Sequence, residues 1–78
     1  MHCAKITKSP TGCNLELYDA NLNILESESF ADLYTLNFHL QTLATKHGMA
    51  EGFLIVHDMG ANKVDLSIAK GENEFFIH

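Results

Sequence analysis

Between Ser29 and Gly48 the chain runs without a glycine or a proline. This is the stretch that most restricts the fold, because its apolar residues recur at helical spacing while the sequence on either side alternates at the period of a strand. Ser29 with Asp32 three residues on resembles a capping box, in which a hydroxyl and a carboxylate satisfy free N–H groups at a helix start. Gly48 supplies a left-handed stop, and Lys46 and His47 fall in the last turn, where positive charge suits the helix dipole. The spacing predicts a helix over residues 30–47.

At about 100° per residue, Leu33, Leu36, Leu40, Leu43 and Ala44 form one arc of that helix. Phe30, Tyr34 and Phe38 form an adjoining aromatic arc, and Asp32, Thr35, His39, Thr42 and Lys46 lie on the wet side. A helix resting on one sheet needs an apolar stripe of roughly 100°. The two arcs together are wider than that. Either the rest of the domain covers both arcs, or the leucines face the sheet and Tyr34 and Phe38 meet another chain.

The flanking segments read as strands. Residues 3–8 alternate loosely, and Ser9, Pro10, Thr11 and Gly12 form a turn cluster. Cys13, Leu15 and Leu17 then alternate with Asn14, Glu16 and Tyr18, the pattern of a sheet with one buried and one wet face. Asp19, Ala20 and Asn21 make a second turn. Residues 22–27 read as a third strand of undecided register, since Leu22 and Ile24 share one parity and Leu25 has the other. After the helix, Phe53-Leu54-Ile55-Val56 reads as a central buried strand, Met59 to Lys63 as a hairpin loop, and Val64, Leu66 and Ile68 as the buried side of a half-buried strand. Phe75-Phe76-Ile77 suits a short sixth strand. The expected fold is therefore α+β. It is one domain over residues 1–78, an antiparallel sheet of about five strands in the order β-β-β-α-β-β, with one long helix packed across one face.

With 78 residues, the chain can bury only a modest core. Its formal charge is −5, and all five basic residues are lysines. Without arginine, the preferred bidentate reader of phosphate and of guanine edges, direct nucleic-acid binding is not expected. No segment has the roughly 18 apolar residues of a membrane span, and the first residues lack the apolar centre of a signal peptide. A cytoplasmic protein with no membrane partner is the expectation.

Few residues invite chemistry. Cys3 and Cys13 lack the spacing of a zinc knuckle, so a metal would need His2, Cys3 and Cys13 together, and a disulfide would need the two cysteines to pair across the first hairpin. His57 and Asp58 follow the strongest strand but point to opposite faces if it continues, so they make no dyad. The glycines lie at turns, not in a phosphate-binding loop. No catalytic residue, metal or cofactor is assigned. Glu26, Glu28 and Asp32 cluster around the helix start, where they could form an acidic patch that docks on a basic partner.

The expected function is a non-enzymatic protein-binding module. It would be a small acidic inhibitor or regulator, of the kind a phage or mobile element encodes, acting on a partner protein such as one that handles nucleic acid. Its partner-binding residues would be Glu26, Glu28, Asp32, Tyr34 and Phe38. A homodimeric assembly subunit joined through the aromatic helix edge is the alternative. A small enzyme or metal protein ranks below both.

Overall fold

In the computed structural model, residues 1–49, 52–60 and 63–69 are described, with Met59, Ser67 and Ala69 as backbone only. They form strands β1 (Cys3–Ser9), β2 (Gly12–Tyr18) and β3 (Ile24–Phe30), helix α1 (Leu33–Lys46), and strands β4 (Phe53–Gly60) and β5 (Lys63–Ala69). The fold is a small α+β domain, as the periodicities predict. The sixth strand expected at residues 75–77 lies outside the described residues. No helix among them is long and apolar enough to cross a membrane.

The five strands form one open sheet in the order β3-β2-β1-β4-β5. Three of the four pairings are antiparallel hairpins, but β1 and β4 run parallel at the centre. The sheet is thus mixed, where short turns alone predict a purely antiparallel one. The connection through α1 explains the difference. It is long enough to carry the chain back to the start of the sheet, which a two-residue turn cannot do.

Register decides which side chains meet α1, because paired residues share a face. Ala4 and Ile6 on β1 pair with Leu17 and Leu15 on β2 and with Ile55 and His57 on β4. All six are buried, and the apolar members join Cys13, Met49 and Phe53 and the helix residues Leu36, Leu40 and Ala44 in one core. Leu25, Phe30, Leu33 and Leu43 pack against it. The leucine arc read from the sequence is therefore the buried arc of the helix.

Three local features depart from the sequence reading. First, β3 runs on through Phe30, and the helix starts after Asp32, whose carboxylate accepts from the Thr35 backbone N–H at 2.8 Å. Ser29 belongs to β3 and donates its hydroxyl to the Asn14 side-chain oxygen at 2.7 Å, so the capping box does not form. Second, the parity conflict in residues 22–27 is a β-bulge. Leu17 pairs with Glu26 and Tyr18 with Ile24, which leaves Leu25 as the extra residue. Leu25 turns toward the core while Ile24 stays exposed. Third, Val64, Leu66 and Ile68 pair with Asp58, Val56 and Leu54 on the face opposite the buried Phe53, Ile55 and His57. They are 53%, 66% and 58% exposed rather than buried.

Two backbone positions constrain the turns. A Cβ on Gly12 would overlap the Phe30 carbonyl oxygen, because β2 begins hard against the end of β3. Leu22 has φ +65°, a left-handed conformation in which Asp19 holds the loop by accepting from the backbone N–H groups of Asn21 and Asn23. Gly12→Ala is expected to cost about 1–3 kcal/mol, as overpacking against fixed backbone does. Leu22→Asn is expected to add up to about 1 kcal/mol by relieving left-handed strain at an exposed site. Urea denaturation of the two variants measures both changes.

Candidate functional site

The five residues expected to bind a partner are distributed by the fold over three places. Glu26 and Glu28 lie on β3 at its helix-side face, paired with Leu17 and Leu15. Asp32 caps the helix. Tyr34 and Phe38 lie one helical turn apart and are 81% and 70% exposed. The flank of α1 that meets β3 is marked by His39, whose ring centroid is 5.0 Å from that of Phe30, and by Lys46 beside Glu26. At about 100° per residue, Tyr34 and Phe38 lie roughly 100–140° around the helix from His39. The acids of β3 and the aromatic pair therefore occupy different sides of α1 and do not form one patch.

The acids differ in how they are held. The Glu26 carboxylate accepts from the Lys46 ammonium at 3.0 Å and lies 3.1 Å from the His47 ring nitrogen. These contacts, His47 first, lower its pKa. Glu26 thus ties β3 to the end of the helix, and its charge is largely matched within the chain. Asp32 is lowered chiefly by the Thr35 backbone N–H it accepts. Glu28 is exposed, and its carboxylate makes no hydrogen bond to another described residue. Of the three, Glu28 is the carboxylate free to meet a partner.

The residues weighed for chemistry are kept apart. Cys3 pairs with Tyr18 and Cys13 with Lys8, at opposite ends of the first hairpin. Five residues at about 3.3 Å each separate the two positions by roughly 16 Å, on opposite faces of the sheet, so neither a disulfide nor a shared metal with His2 can form. Among the described residues no group of three His, Cys, Asp or Glu side chains could hold a metal ion. Burial raises the pKa of both thiols.

His57 and Asp58 alternate as the strand period requires. Asp58 turns to the open face and accepts from the Gly60 backbone N–H at 2.9 Å, closing the β4–β5 hairpin. His57 turns inward and is 5% exposed, and its Nε2 has no hydrogen-bond partner among the described residues. Burial is the main cause of its lowered pKa, with Lys8 adding to the shift and Asp65 and Asp58 opposing it. The role of His57 is in the core, where an unsatisfied ring nitrogen costs about 1–3 kcal/mol.

A depression of about 490 Å³ lies over Thr7, Asn14, Glu16, Ser27, Glu28 and Ser29. It is a shallow polar trough, and none of its hydroxyls has an imidazole or amine beside it among these residues. Glu16 in it accepts from the Tyr18 hydroxyl at 3.2 Å. What the sequence reading missed is the open face as a whole. The signal was present in Phe53-Leu54-Ile55-Val56, which is apolar at both parities, as in strands buried on both faces.

No protein-family model, curated protein or solved structure matches this chain.

Because the folded His57 resists protonation, acid is taken up first by the unfolded chain. Stability contributed by neutral His57 is expected to be complete above its ordinary pKa of 6.5 and to fall as pH drops from there toward the lower folded value. His57→Leu removes this slope below about pH 6.5 and raises stability by about 1 kcal/mol or more at the acid end. Urea titrations at a series of pH values check both. A variant with an unchanged slope would show that His57 is not the titrating group.

Proposed function

We propose that this chain is a non-enzymatic protein-binding module, a small acidic inhibitor or regulator that docks on a partner protein. The observation that carries this reading is the exposed aromatic pair Tyr34 and Phe38 on α1. The core is already closed by Leu36, Leu40 and Ala44, so folding makes no use of the two rings. They form an i, i+4 ridge of the kind that inserts into a partner's groove, and aromatic side chains supply much of the affinity at interface centres.

The charge of −5 favours a basic partner, such as a protein whose usual ligand is nucleic acid. Glu28 is the carboxylate best placed to add a direct contact, while Glu26 and Asp32 contribute to the field around the helix. The aromatic ridge sets affinity and the charge sets encounter rate and salt dependence.

Capture from a lysate of the source cells tests the reading. A stoichiometric partner is expected, with its affinity reduced by about 10- to 30-fold in Tyr34→Ala or Phe38→Ala, since neither change touches the core. Raising salt is expected to slow association, and Glu28→Lys is expected to do the same. Undiminished binding by the double aromatic variant would overturn the ridge as the docking surface.

A further inference from the structure

Across the end of the open face, the cross-strand register lines up Ile24, Tyr18, Cys3, Leu54 and Ile68, one from each strand. Val56, Leu66 and Val64 extend this row along β4 and β5. The result is an L-shaped apolar surface on the side of the sheet away from α1. Its outer members Ile24, Val64, Leu66 and Ile68 are each more than half exposed. Exposed apolar patches of a few hundred Å² or more on a small domain mark interaction sites.

We propose that the open face is a homodimer interface, in which a second copy of this chain stacks sheet on sheet to give a helix–sheet–sheet–helix assembly. Four observations select a second copy as the occupant. Strand β4 carries apolar residues at both parities, and among the described residues Phe53 and Ile55 join the buried core while Leu54 and Val56 are only half-buried, so the latter two call for a second layer. The charged side chains on the five strands of this face are Lys5, Glu16 and Asp58. One positive and two negative groups leave this face nearly neutral, so two copies, each of charge −5, can stack through it with little like-charge repulsion. Lys5 and Glu16 are cross-strand neighbours, so a two-fold axis can bring each Lys5 toward the Glu16 of the other copy. Five strands about 4.8 Å apart and seven residues long present a plane of roughly 500 Å². With its side-chain relief, that approaches the roughly 800 Å² of accessible surface per partner in a standard interface. Sheets stacked in this way lie about 10 Å apart.

This surface is separate from the Tyr34–Phe38 ridge, so the homodimer leaves the ridge free. The mass of the full chain by sedimentation equilibrium, up to roughly 1 mM, tests the proposal. A concentration-dependent dimer is expected, weakened on the order of 30-fold or more by Leu66→Asp and unaffected by Phe38→Asp. Leu66→Thr, which suits an exposed strand, guards against misfolding and is expected to weaken the dimer to a lesser degree. Alkylation of Cys3, at the middle of the apolar row, gives an independent readout. It should slow as wild-type protein is concentrated and stay fast in Leu66→Asp, with buried Cys13 as the internal reference. A monomer throughout the range overturns the proposal. So does a dimer broken by Phe38→Asp but not by Leu66→Asp, and so does protection of Cys3 that is independent of concentration, which would mean that the chain covers its own face.

Discussion

The pairing of β1 with β2 on one side and β4 on the other is the constraint on which the rest of the structure depends. Ala4 and Ile6 face the helix, and their register partners Leu15, Leu17, Ile55 and His57 must face it too. Side chains alternate along a strand, so a one-residue slip would turn all of these outward and bring Lys5 and Glu16 under the helix. That outcome is far costlier than any single surface contact in the molecule. The register in turn fixes the opposite face, and with it the exposure of Leu66 and its neighbours.

Much of the helix-side core was legible from spacing alone. Cys13, Leu15 and Leu17 alternate as a strand should, and Leu36, Leu40 and Ala44 recur as a buried helix face should. The parallel pairing of β1 and β4 was not legible, because local turns say nothing about strands brought together by a long connection. The start of the helix was misplaced because Ser29 and Asp32 both suit a cap, and only the pairing of Asn14 with Ser29 draws the serine into β3. The conflicting parities of Ile24 and Leu25 were a true signal, but of a bulge.

For the residues proposed to bind a partner, sequence spacing was a weaker guide. Glu26, Glu28 and Asp32 are close along the chain, yet a strand end, a turn and a helix start separate their roles. Glu26 and Asp32 are used within the fold, by Lys46 and His47 and by the Thr35 N–H respectively. The exposure of Tyr34 and Phe38 was legible because the helical wheel left them outside the leucine arc. The β5 residues were misread because alternation reports that a strand has an apolar side, and it cannot report whether anything covers that side.

A chain of this size has little stability to spare, and it nonetheless leaves apolar side chains on two surfaces. Both fit the proposal that the protein works by association. The central claim is that the buried core lies on the α1 side of the sheet and the described residues leave the other side open. The most direct measurement is paramagnetic broadening of methyl resonances by a soluble probe in dilute protein. The account predicts strong broadening for Val64, Leu66 and Ile68 and little for Ile6, Leu15, Leu17 and Leu40. Equal shielding of both sets in a monomeric sample would contradict it.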